Sequence, residues 1–229
     1  MKLEKVTGAG DRRWYDDACG TAHALELVGE RWSLLIVREL MFGGRRFGEL
    51  RASLAGISAN VLTQRLASLE AAGIVRRRAL PPPASARIYE LTAWGYEAEP
   101  AIQALGRWAA RSPDHDPTLP LSAASMMLSL RTMLGTGGPT AGMAMTLRFV
   151  FGTEAFVATL ADGAMPVVRG DGAADVTITT DPETLASLVY GGRPVEDAEA
   201  EGALVLAGDR ACFVRFIALF SLPPKAVVE

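Results

Sequence analysis

The chain has 229 residues, 23 Lys and Arg against 26 Asp and Glu, and a formal net charge of −3. That length suits two small domains. No apolar run approaches the ~18 uncharged residues a membrane span requires, and residues 1–11 lack the apolar core of a secretory signal, so no membrane partner is expected. The two cysteines, Cys19 and Cys212, form no CxxC pair, which argues against a disulfide framework or a zinc site and suits a reducing cytoplasm. The near-neutral total hides an asymmetry. Residues 1–112 hold 16 basic and 12 acidic side chains, whereas residues 113–229 hold 7 and 14. Between Arg31 and Thr92 the count is 10 basic to 4 acidic, a local footprint for a polyanion.

In chain order, Thr21 to Val28 is a short apolar-periodic helix that Gly29 stops. Arg31 to Met41 places Trp32, Leu35, Ile36 and Leu40 at helical spacing, and Gly43-Gly44 ends it. A third helix, Phe47 to Leu54, turns Phe47, Leu50 and Leu54 inward. Ser58 is an N-cap for a fourth, which puts Leu62, Leu66 and Leu69 on one face and stops at Ala72-Gly73. Ile74 to Leu80 and Arg87 to Leu91 read as strands flanking the proline-rich loop 81–85. A long amphipathic helix follows from Thr92 to Arg111, with Trp94, Ala98, Ile102, Leu105 and Trp108 as its stripe and Pro100 as a kink. Residues 113–120, with three prolines and two aspartates, read as a linker. They divide a domain at 1–112 from one at 121–229.

Beyond the linker, Ala123 to Leu134 is a helix. Gly142 to Phe151 alternates Met143, Met145, Leu147, Phe149 and Phe151 on one face, as a strand does. Glu154 to Leu160, Met165 to Arg169, Val176 to Thr180 and Ala203 to Leu206 are further strands. Asp181-Pro182 opens a helix that ends at Gly191-Gly192, and Asp209 to Phe220 closes the pattern as another. The acidic run Glu196 to Glu201 reads as a solvated loop, Gly135 to Gly138 as a turn, and Cys212 as core. The fold class is therefore multidomain α+β.

Helix, turn, second helix and a two-stranded wing is the order of a winged helix-turn-helix. The second helix must be apolar inward and polar outward to enter a major groove. Beside the Ser58 cap, the outer face of that helix offers Asn60, Thr63, Gln64 and Arg65. Asn and Gln can bond adenine edges, and Arg can bond guanine or hold a phosphate. Arg76, Arg77, Arg78 and Arg87 on the wing strands could follow a phosphate backbone. Double-stranded DNA is the partner this pattern predicts.

The runs CGTAHALELVGERWSLLIVREL (19–40), RFGEL (46–50), GISANVLTQRLASLEAAGIV (56–75) and YELT (89–92) occur in an order and spacing that resembles the HxlR family of bacterial regulators, over roughly residues 19–112. The resemblance implies a DNA-binding transcriptional regulator that works as a homodimer through its terminal helices. Here those would use Trp14, Trp94, Ile102, Leu105 and Trp108, and two half-sites would add their binding energy. Some members of that family sense oxidants or electrophiles through a cysteine just before the first helix. Cys19 matches that position, with Gly20 where proline is common, and a helix N-terminus can lower a thiol pKa.

Residues 121–222 resemble the sterol-carrier-protein-type α/β fold, through DVTITTDPETL (175–185), Gly191-Gly192 and EGALVLAGDR (201–210). That resemblance implies an apolar small-molecule effector, with Met127, Met143, Met145 and Phe149 as lining and methionine as an adaptable wall. Two other readings follow from the same residues: a carrier of hydrophobic molecules whose first domain dimerises, and a thiol-based redox sensor using Cys19. His23 and His115 are the only histidines. No nucleophile–base arrangement, HExxH, Walker-type loop or strand-linked GxGxxG accompanies them, so neither catalysis, a metal nor a cofactor is expected.

Overall fold

A computed structural model describes residues 15–81 and 86–227. The first part is helical: α1 (Gly20–Val28), α2 (Ser33–Leu40), α3 (Phe47–Ser53) and α4 (Ala59–Ala71). Leu62, Leu66 and Leu69 of α4 are fully buried, as their three- and four-residue spacing requires. Ser58 caps the helix by accepting from the Val61 amide at 3.3 Å. Strands β1 (Val75–Ala79) and β2 (Arg87–Leu91) pair antiparallel, Arg76 opposite Glu90. The backbone of Arg45 joins them as a third rung, exchanging two 2.8 Å hydrogen bonds with Tyr89. This approach needs Gly44: a Cβ there would lie 2.7 Å from Ile88 Cδ1 and 3.2 Å from the Tyr89 carbonyl oxygen. Elements in the order helix, turn, helix, wing are therefore present as expected.

Three local expectations are corrected. The helix over Arg31 to Met41 starts at Ser33, because Trp32 takes a left-handed conformation at φ 81°. Leu35 then faces outward, and Ile36, Val37, Glu39 and Leu40 face in. The single helix after Thr92 is two, α5 (Ala93–Tyr96) and α6 (Glu99–Ala110). Pro100 sits in the first turn of α6. It has no N–H to give, and its ring collides with the carbonyl four residues earlier, so α5 cannot run on. The acidic run is also helical, forming α9 (Val195–Ala200). Its acids favour the positive end of a helix dipole, while Val195 and Ala198 at i and i+3 are buried.

The second part contains α7 (Ala123–Met133), β3 (Met145–Phe151), β4 (Glu154–Leu160), β5 (Val167–Arg169), β6 (Val176–Thr179), α8 (Pro182–Tyr190), α9 (Val195–Ala200), β7 (Val205–Gly208) and α10 (Arg210–Ile217). The five strands form one mixed sheet in the order β5-β4-β3-β6-β7, parallel only between β3 and β6. The last strand lies two residues later than the expected Ala203 to Leu206. Asp181 caps α8 as expected, accepting from the Thr184 amide at 2.6 Å. The alternation of β3 sends Met145, Leu147, Phe149 and Phe151 into the core.

There Phe149 meets Phe216, ring centroids 5.8 Å apart, and Met127 is fully buried. Of the expected ligand lining, Met127, Met145 and Phe149 are buried in this core and Met143 is half-buried at its edge.

Residues 112–120 form neither helix nor strand, but they are tied down. Lys225 Nζ donates to the carbonyls of Ser112 and His115, both at 2.9 Å. The apolar core runs continuously from α2 and α4 through α7 to the sheet, with α7 packed against both α2 and α6. Among the described residues no helix is long and apolar enough to cross a membrane.

Packing at this density sets three expectations for stability. Leu66→Ala should lower the unfolding free energy by about 2–5 kcal/mol in urea titrations, since it opens a cavity in a sealed core. Gly44→Ala should cost about 1–3 kcal/mol, because its Cβ would push on the packed Ile88 side chain. Gly48→Ala should stabilise by up to ~1 kcal/mol, because a Cβ there meets nothing within 4 Å and lies in a helix.

Candidate nucleic-acid interface

The face of α4 opposite its buried leucines is solvent-exposed at Asn60, Thr63 and Gln64, and Ser58 is exposed at its start. Thr63 Oγ1 donates back to the Ala59 carbonyl at 2.9 Å, which leaves its lone pairs outward. Arg65 does not join this face. Its position, one residue before Leu66, turns it toward the end of α1, where it pairs with Glu30 at 2.9 Å, and its Nε is buried. Arg65 braces α4 against the α1–α2 connection.

The wing carries its arginines on the exposed strand β1. Arg76 and Arg78, two residues apart and so on one face, both reach Glu90 on β2, at 2.8 and 2.9 Å. Arg77 points the other way, to Glu70 of α4 at 2.9 Å, with its guanidinium 5.4 Å from the Tyr89 ring. Arg87 is exposed. Burial raises the Glu90 pKa, but the hydrogen bonds from Arg78 and Arg76 outweigh it and hold the carboxyl below the usual carboxylate range. Two guanidinium groups on one carboxylate leave a surplus positive charge on this face. Loop residues 82–85 lie outside the described set.

The expected dimer residues divide. Ile102 is half-buried against the core. Trp108, Leu105 and Trp94 are exposed to 74%, 49% and 49%. Trp14 lies outside the described residues. Helix α6 is held to the body by Arg107, whose Nη1 donates to the Thr132 carbonyl at 2.6 Å. Ile102 and Leu105 of α6, Leu35 of α2 and Leu128 of α7 border an apolar groove between the three helices. Isolated exposed apolar side chains are ordinary, but Leu105 and Trp108, one turn apart on α6, form a contiguous exposed apolar patch.

A buried charge cluster escaped the sequence reading. Glu39 of α2, with no exposed side-chain surface, accepts from Arg38 at 2.9 Å, from Arg45 at 3.4 Å and from the Ser122 hydroxyl at 2.6 Å. Arg45 also reaches Glu154 at 3.1 Å, and Glu154 is paired with Arg169. Burial pulls the Arg45 pKa down, against the opposing charges of Glu39 and Glu49. Arg169 is drawn down to about 10, first by burial and then by Arg45. Arg148 on β3 is partly covered and paired with Asp171.

Cys19 is the exposed N-cap residue of α1. Its thiol makes no capping hydrogen bond at normal distance, yet the Thr21 amide, the Thr21 hydroxyl and the Ala22 amide draw its pKa down. Cys212 is buried, which pushes its thiol up. Among the described residues no group of three or more His, Cys, Asp or Glu side chains is placed to hold a metal ion.

The profile of the HxlR-like helix-turn-helix family matches residues 27–117. The "Uncharacterized HTH-type transcriptional regulator sll1512" of Synechocystis is 40% identical over 87 residues, 38% of this chain and 64% of that protein. The "Uncharacterized HTH-type transcriptional regulator YvaP" of Bacillus subtilis is 36% identical over 86 residues, 38% of this chain and 80% of that protein. Among solved structures, the reduced form of the transcriptional regulator YodB from B. subtilis shares 34% identity, covering 44% of this chain and all of that one, with a TM-score of 0.40.

The two thiols should behave differently. With iodoacetamide at neutral pH, Cys19 should alkylate faster than a free cysteine peptide and Cys212 should stay unmodified until the protein unfolds. Peptide mapping by mass spectrometry reads both; equal labelling of the two would contradict the burial and the pKa directions alike.

Proposed function

The chain belongs to the HxlR-like helix-turn-helix family, and from that premise we propose that it is a cytoplasmic, homodimeric transcriptional regulator that binds duplex DNA. The observation that carries this reading is the two-sided α4. Its leucine face is sealed, while Asn60, Thr63 and Gln64 are presented outward beside a wing with surplus positive charge. Asn60 and Gln64 are four residues apart, so both reach one groove, where their amides suit the N6 and N7 edge of adenine. Ser58 and Thr63 flank them. Arg76, Arg78 and Arg87 take phosphates, fixing register without reading sequence.

Trp94, Leu105 and Trp108 would be covered by the second protomer, which places two α4 helices on successive half-sites. The C-terminal part is read as a sterol-carrier-like effector module. An effector acts by binding one dimer geometry more tightly than another. A second reading, an added response to oxidants or electrophiles through Cys19, is favoured by that thiol's exposure and lowered pKa. Changing Cys19 to Ser should abolish such a response; a response that survives the change would end this reading.

Fluorescence anisotropy on duplex from the gene's own upstream region, against scrambled duplex, tests the main reading. Gln64→Ala should cost about 1–3 kcal/mol on the native duplex and little on the scrambled one. Arg78→Ala should weaken both equally and lower the salt slope by about 1. Binding to neither duplex by the wild-type protein would overturn it. Trp108→Glu should yield a monomer by light scattering, since a charge in an apolar contact is costly.

A further inference from the structure

The connection between α1 and α2 is strained, and the strained residue is a tryptophan. Trp32 stands at φ 81°, in the left-handed region that glycine enters freely and a bulky residue avoids. Asp162 is the only other non-glycine residue there among the described residues. Strain of this kind persists where the surroundings over-determine it, and here they do. The Trp32 carbonyl accepts from the Ile36 amide at 2.9 Å and so opens α2, while the Ser33 amide donates to the Glu30 carbonyl at 3.0 Å. The ring is half-buried against the core.

This turn is tied to the reading helix on both sides of Arg31. Before it, Glu30 pairs with Arg65 of α4 at 2.9 Å. After it, the Trp32 ring reaches the turn between α3 and α4: a Cβ on Gly56 would lie 3.9 Å from its Cη2. Ser58, two residues beyond Gly56, caps α4. Arg31 stands between these two fixed neighbours. It is exposed, and its guanidinium lies over the Trp32 ring, 5.3 Å from the centroid.

We propose that Arg31 binds a backbone phosphate of duplex DNA beside the first turns of α4, and that Trp32 is the positioning residue that presents it. The proposal rests on the DNA-binding reading and adds to it a contact that the wing cannot make.

Charge accounting singles Arg31 out. Arg76 and Arg78 share Glu90, Arg77 is paired with Glu70, and Arg65 with Glu30. Among the described residues Arg31 has no carboxylate partner, only the ring. A paired cation must share or give up its partner to neutralise a phosphate, whereas an unpaired one brings its whole charge and releases a counterion. The ring attracts the guanidinium without offering a hydrogen-bond acceptor, so the N–H groups keep their full capacity for a phosphate. The placement also completes a grip. The wing departs from the C-terminal end of α4, with β1 starting at Val75, and Arg31 stands toward the N-terminal end. A helix in a major groove has phosphates along both walls, so cations at both ends hold it from two sides.

Anisotropy of the full chain on the native and scrambled duplexes, across a range of salt, tests this. Arg31→Ala should weaken both duplexes alike, by about three- to tenfold at low salt, and lower the salt slope by about 1. Arg31→Lys keeps the charge and should keep the slope. Arg193→Ala makes the same change of net charge in the C-terminal part, at a residue paired with Glu201, and should leave the slope at the wild-type value. Trp32→Leu should also weaken both duplexes, and adding Arg31→Ala to it should cost much less than Arg31→Ala costs alone, because the presented cation is already lost. Fully additive losses would reduce Trp32 to a packing residue and end its positioning role. Should circular dichroism show Trp32→Leu unfolded, the slopes of the Arg31 variants decide alone. A wild-type slope in Arg31→Ala, an equal drop in Arg193→Ala, or a loss confined to the native duplex would sink the proposal while the DNA-binding reading stands. Wild-type protein that binds neither duplex removes both.

Discussion

The rest of the structure hangs on the carboxylate of Glu39. It is wholly buried in a helix of the winged part, and an isolated charge in that position would be prohibitively expensive. Three donors meet it: Arg38 from the same helix, Arg45 from the following turn and the Ser122 hydroxyl from the start of α7. Arg45 then carries the chain of charges to Glu154 on the sheet, and Glu154 to Arg169. Removing Arg45 deprives the buried Glu39 of a cation in low dielectric, a loss of roughly 3–5 kcal/mol in comparable buried pairs. The winged part and the sheet are therefore joined by groups that cannot separate without exposing or orphaning charge. An apolar contact alone would leave their relative position far less determined.

The same cluster sets the spacing of the two parts, and a cleft lined by Arg45, Glu154 and Arg169 lies between them. Apolar interfaces close up; a ring of paired charges with fixed hydrogen-bond directions holds its members apart. The turn after α2 serves both structures at once, offering its Arg45 side chain to the cluster and its backbone to β2. Gly44 eases that double duty, because a Cβ there would crowd the Ile88 side chain and approach the Tyr89 carbonyl.

How much was legible in sequence depends on range. The leucine face and Ser58 cap of α4 follow from spacing within one helix, and the structure has both. The alternation of β3 likewise sends its odd-numbered residues inward. The break between α5 and α6 was half legible: Pro100 announced a distortion, and only the full clash with the preceding turn makes it a stop. The helix α9 was hidden because its two buried positions, Val195 and Ala198, are outnumbered by acids that serve Arg210 on α10. The Glu39 cluster was not legible at all. Arg45 and Glu154 are 109 residues apart, and nothing in either neighbourhood marks them as partners. Arg65 shows the limit of phase reasoning: it lies only one residue beyond Gln64, yet that rotation takes it from the exposed face to Glu30.

Helix α6 occupies an unusual mechanical position. Its inner side is fastened to α7, by Ile102 in the core and by Arg107 on the Thr132 carbonyl, and its outer side carries the bare aromatic and aliphatic surface. Helix α7 in turn begins at Ser122, inside the charge cluster. A push on α6 would thus be carried along α7, whose far end is set in the cluster between the two parts, rather than being absorbed at the surface.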